Sequence, residues 1–164
     1  MFNRSNKGMG EITTRRLIVH NSILIEEVAK LISEGDSVAL TAKGRSMLPF
    51  IKDRDTVVLV KADNVKLYDI VLAQINNKYV LHRLIGIKNN EYTLMGDGNL
   101  KECESCSVDD IIAIAIKIRK RDKEYNCRDN SHIIKAKIWN VLRPVRKYLL
   151  VIYNFLCNFK YENS

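Results

Sequence analysis

The chain has 164 residues, 46% hydrophobic and 28% charged, enough for one domain with a real core and short for two. Its formal net charge of +8 is uneven: residues 1–116 hold 15 Lys/Arg and 15 Asp/Glu, residues 117–164 hold 12 and 4. A chain-wide nucleic-acid surface is therefore not expected, and an anionic partner is expected for the tail alone.

Four cysteines in a chain of this size do not make a disulfide scaffold. Cys103 and Cys106 form the one close pair, and no second pair or His-x3-His accompanies them, so neither a metal site nor a cofactor is expected. The polar N-terminus has no apolar run and implies no secretory leader. With no run of about 18 apolar residues there is no clear membrane anchor, and a cytoplasmic location is expected.

Residues 1–10 read as a disordered lead-in. Over residues 11–35, Leu17, Ile18, Leu24, Ile25, Val28, Leu31 and Ile32 fall largely on one helical face, with Gly35 as the stop. One such helix packs beside a domain; it is too little for a helix-turn-helix module. Residues 36–121 change to short β-type runs near Ser37–Ala42, Thr56–Val60, Ile70–Ile75, Tyr79–Ile87, Tyr92–Met95 and Ile111–Arg119. Turn residues separate them, among them Asn76-Asn77 and Lys88-Asn89-Asn90. Spacings of roughly 10–12 residues without intervening helices predict antiparallel β-structure. Residues 120–131 read as a charged linker, and 122–164 together as linker and basic amphipathic tail. In that tail Ile134, Ile138, Val141, Leu142, Val145, Leu149, Ile152 and Leu156 recur at helical spacing, kinked at Pro144. Two readings of residues 131–164 stand: a helix docked on the domain, or a basic amphipathic segment lying on an anionic membrane surface. Its aromatics share space with the aliphatic stripe, so stacking on nucleic-acid bases is not expected.

Three separated stretches carry the chemistry. Gly44-Arg45-Ser46-Met47-Leu48-Pro49 sets a serine between a flexible glycine and a turn-fixing proline. His82 lies in an otherwise core-like strand, where an imidazole is either structural or a base for a serine hydroxyl. Asp97, between Gly96 and Gly98, is either a plain turn residue or the carboxylate that orients His82.

Together these stretches resemble the nucleophile, base and acid boxes of the signal peptidase and LexA-like serine peptidases. The agreement runs over residues 36–121 through Asp55, Asp69-Ile70-Val71, Leu81-His82-Arg83, Gly96-Asp97-Gly98-Asn99 and Asp109-Asp110-Ile111-Ile112. Bacterial signal peptidases and LexA-type repressors place a lysine where this chain has His82. His82-Arg83 and the later Gly-Asp turn resemble the endoplasmic-reticulum and archaeal-type branch, which uses Ser-His-Asp. The resemblance implies a mainly β (α+β) fold: a strongly bent antiparallel β-domain, flanked by an N-terminal helix and a C-terminal helical segment. It implies a serine endopeptidase acting on a peptide or protein substrate, with Ser46 as nucleophile, His82 as base and Asp97 as orienting acid. Gly44 and Met47 would lie on the oxyanion and substrate side, and Asp109 or Asp110 would be a secondary acid. Two rivals remain: a self-cleaving LexA-like regulator, although neither Ala-Gly nor Cys-Gly occurs in the chain, and a non-catalytic scaffold on the same fold.

Overall fold

The computed structural model describes residues 14–17, 22–121 and 123–162; the expected lead-in lies outside them. Among the described residues nine strands form one mainly antiparallel sheet, with one α-helix between the first and second strands and two after the last. In chain order these are β1 (Thr14–Leu17), α1 (Ser22–Ser33), β2 (Ser37–Thr41), β3 (Thr56–Lys61), β4 (Ile70–Ile75), β5 (Lys78–Lys88), β6 (Glu91–Met95), β7 (Glu104–Cys106), β8 (Ile111–Lys120) and β9 (Lys123–Asn126). The helices α2 (Asn130–Val141) and α3 (Arg146–Glu162) complete the chain, joined by a 3-10 turn at Arg143–Val145 that contains Pro144.

Across the sheet the order is β1-β2-β3-β8-β4-β5-β6-β7, with β9 also on β8. The long β8 is the spine. One edge pairs with β3, and the other is divided between β4 and β9. Register shifts interrupt its pairing with β3 and with β4, and β5 against β6 has a third; such irregularities bend strands and sharpen their twist.

Local chemistry accounts for the connections. The β4–β5 and β5–β6 hairpins turn on Asn76-Asn77 and Asn89-Asn90, all four at φ between 49° and 61°. Paired left-handed residues make the two-residue turn whose twist matches the strands, and asparagine tolerates that conformation. Gly35, at φ 94°, ends α1, and the Asp36 N–H returns to the Leu31 carbonyl.

Alternation along the strands divides the apolar residues between two faces. Val38, Val57, Leu59, Ile70, Leu72, Ala115 and Ile118 meet Val28, Leu31 and Ile32 of α1 on one face. Val71, Ala73, Leu84, Leu94, Ile111 and Ile114 form a second cluster.

Three expectations change. The N-terminal helix of residues 11–35 is shorter, because Thr14–Leu17 pair in parallel with Ser37–Leu40 as β1. The charged linker contains β9, whose Glu124 is held by Lys117 and Arg119 of β8. The third is β7, a short strand outside the six expected ones, which pairs with β6.

Candidate active site

Ser46 sits in a tight loop after β2. Gly44 adopts φ 95°, and its N–H donates to Asp53 Oδ1 at 2.9 Å. The Leu48 N–H then reaches the Arg45 carbonyl and the Ile51 N–H reaches that of Met47. Ser46 stays half-exposed while Met47, Leu48 and Ile51 are buried, so these side chains anchor the loop in the core. Met47, expected on the oxyanion or substrate side, thus has a core side chain, and Gly44 has already committed its amide to Asp53.

The Gly96–Asn99 turn presses on the serine loop. The Gly98 N–H donates to the Ser46 carbonyl at 2.6 Å. A Cβ added at Gly96 would lie 2.5 Å from the Ser46 oxygen, and one at Gly98 would lie 2.5 Å from the Arg45 oxygen. Only glycine permits that approach at either position.

Register relates this contact to His82. Arg83 pairs with Met95, so one further step along the same register sets Gly96 across from His82. Residues paired across an antiparallel ladder face the same side, with Cβ atoms about 5 Å apart. The Ser46 carbonyl therefore packs against the residue that follows the ladder's last pair, at the end of the ladder next to His82.

His82 is 6% exposed, and its Nδ1 lies 2.9 Å from Glu104 Oε2. A carboxylate only accepts, so Nδ1 donates, and in the neutral ring this tautomer leaves the lone pair on Nε2. Glu104 pairs with Leu94, which pairs with Leu84, two residues beyond His82 on the same face. Two sheet steps thus carry the carboxylate to the imidazole.

The acid against His82 is Glu104, and the expected partner Asp97 is engaged elsewhere. Arg83 Nε and Nη2 hold Asp97 Oδ1 and Oδ2 at 2.8 and 2.6 Å. Arg83 also donates to the Tyr68 carbonyl and lies over the Phe50 ring. Both ions are almost fully buried, at 1% and 4% exposure, so each depends on the other. Asp97 thus ties the turn beneath Ser46 to β5. Asp110 accepts from the N–H and hydroxyl of Ser107, capping the 3-10 turn before β8, while Asp109 is exposed.

Five carboxylates lie between residues 97 and 110, and no local sequence rule selects Glu104 among them. The available signal was alternation in Glu104-Ser105-Cys106, where the half-buried and buried residues flank an exposed serine.

Cys106 is no rival nucleophile: burial, with Asp110 and Glu104 nearby, pushes its thiol up to about 11. Among the described residues no cluster of His, Cys, Asp and Glu could hold a metal ion. A cavity of about 400 Å³ lies between the serine loop and α2, lined by Phe50, Tyr125, His132 and Trp139. It includes none of Ser46, His82 and Glu104, whose arrangement rests on strand register and hydrogen bonds.

The tail closes over this loop from outside. Trp139 Nε1 donates to the Asp97 carbonyl at 2.7 Å, and Arg146 Nη1 donates to the Asn99 carbonyl at 2.9 Å. Arg45, beside the serine, reaches Asn154 Oδ1 of α3 at 2.6 Å.

No curated protein sequence matches the chain closely enough to count as a relative. The sequence profile of the family described as Peptidase S24-like matches residues 2–116, a span that includes Ser46, His82 and Glu104 and stops short of α2 and α3. A match over more than half of the chain, on a curled antiparallel sheet of the expected kind, shows that the chain belongs to the Peptidase S24-like family.

Proposed function

We propose that the chain is a serine endopeptidase that cleaves a peptide bond through an acyl-enzyme on Ser46. His82 is the general base and Glu104 the acid that orients it, so the site follows the Ser-His-acid branch of the superfamily rather than the lysine branch. The observation that carries this reading is the His82–Glu104 hydrogen bond on the sheet face against which the Ser46 loop packs.

Each step has a residue. Nε2 of His82 takes the Ser46 proton as Oγ attacks the carbonyl carbon, and Glu104 stabilises the imidazolium through Nδ1. The same proton then passes to the departing amine. Water, deprotonated by His82, hydrolyses the ester and frees Ser46. With the Gly44 amide held by Asp53, the oxyanion falls to backbone N–H groups at Ser46 and Met47. The substrate is a peptide or protein segment bound as an extended strand.

A fluorophosphonate probe tests this, because it labels only an activated serine. The wild-type chain is expected to take up one label, mapped by mass to Ser46. Ser46→Ala should take up none with its melting temperature unchanged, and His82→Gln should slow labelling by about 10³-fold or more. An unlabelled wild-type chain, or a label on another residue, would refute the assignment.

A further inference from the structure

The tail helices dock on the domain with the face that amphipathic helices usually turn outward. Trp139, Arg146 and Asn154 make the polar contacts to the serine loop and its supporting turn. Ala136 is buried and Trp139, Leu142 and Leu149 are half-buried, but most of the large aliphatic residues are left outside. Ile138, Val141, Val145, Tyr148, Ile152 and Phe155 follow one another at intervals of three and four and are each at least 44% exposed. That stripe spans both helices and the turn between them.

Charge selects what covers it. Residues 130–161 contain six Lys/Arg and no Asp or Glu, and Lys135, Lys137 and Lys147 are exposed beside the stripe. A second copy packed along this three-four repeat would bring like charges together with no carboxylate to pair them. An anionic lipid surface accepts both features, taking the apolar side chains below its headgroups and neutralising the lysines. Among the described residues no helix is long and apolar enough to cross a membrane. A segment lying in the interface does not need to cross.

We infer that α2 and α3 form an interfacial anchor that seats the protein on bilayers containing anionic phospholipid. Because Arg45 is tied to Asn154 on α3, this seating holds the Ser46 loop within about one helix diameter, roughly 10 Å, of the lipid surface. The substrates that reach it best are then peptides at or emerging from the membrane. The anchor itself is independent of catalysis.

The test is co-sedimentation of the full chain with vesicles of phosphatidylglycerol and phosphatidylcholine in equal parts, against phosphatidylcholine alone. Binding should be at least about ten-fold stronger to the anionic vesicles and fall with added salt. Val151, next to Ile152 on the same helix, is 61% exposed; Val151→Glu/Ile152→Glu should weaken binding by about ten-fold or more, and Lys135→Gln/Lys137→Gln/Lys147→Gln should reduce its salt dependence. Ser46→Ala should bind as the wild type does, which separates failure of the anchor from failure of the peptidase reading. Three results overturn the proposal: wild-type chain left in the supernatant with anionic vesicles at low salt; undiminished binding of the Val151→Glu/Ile152→Glu variant; or a solution dimer that this variant converts to monomer, which would make a second copy the occupant.

Discussion

Asp97 and Glu104 are seven residues apart, yet their surroundings give them different work. Asp97 meets a buried guanidinium through both oxygens, whereas Glu104 is partly exposed and meets an imidazole through one. Removing Asp97 strands the Arg83 charge in the interior, and Asp97→Ala should lower stability by about 3–5 kcal/mol in a denaturant titration. On the proposed mechanism, Glu104→Gln keeps the shape and loses the charge that would hold the imidazolium. It should lower kcat by about 10³-fold with little change in KM and almost none in melting temperature. Comparable melting losses in the two variants, or greater loss of turnover in an Asp97→Asn enzyme of intact stability, would return the orienting role to Asp97.

Among the elements, the serine loop is supported on two sides. The Gly96–Asn99 turn supports it from the sheet, and α2 and α3 grip that turn from outside through Trp139 and Arg146. Gly96→Ala places a methyl group against a backbone oxygen at 2.5 Å. A backbone atom gives way less readily than a flexible side chain, so the serine must move, at a cost of about 1–3 kcal/mol. Labelling of Ser46 should slow by about 10²-fold, because a displacement near 1 Å is enough for that. Labelling at the wild-type rate would mean that the turn does not set the serine's position.

For the whole molecule, acid stability depends on how the tail docks. His132 of α2 packs edge-on to Phe50 of the serine loop, its Nδ1 buried without a hydrogen-bond partner. Burial first, then the Arg83 charge, lowers its pKa to about 4 from 6.5, against an opposing pull from Asp97. The unfolded chain thus binds this proton at a higher pH than the folded one. The stability involved is fully present above pH 6.5 and is lost as pH falls from 6.5 to about 4. It amounts to at most about 3 kcal/mol. Thermal melts across this window should show that decline in the wild type and a flatter profile in His132→Phe. Matching profiles would place the acid sensitivity elsewhere.

Much of this organisation is local and therefore legible in one dimension. Alternating apolar runs marked six strands, paired asparagines marked turns between them and Pro144 marked the break in the tail, because each depends on neighbours within a few residues. The Ser46 loop and the His82 strand were likewise readable, since their turn and strand chemistry travels with them. The pairing of β1 and β9, the exchange of Asp97 for Glu104 beside His82, and the outward apolar face of α2 and α3 required the fold. Strand register and the direction of helix docking are decided by contacts between residues far apart in the chain. A carboxylate seven positions from the expected one, and two strands across the sheet from the imidazole, can therefore be the one that meets it.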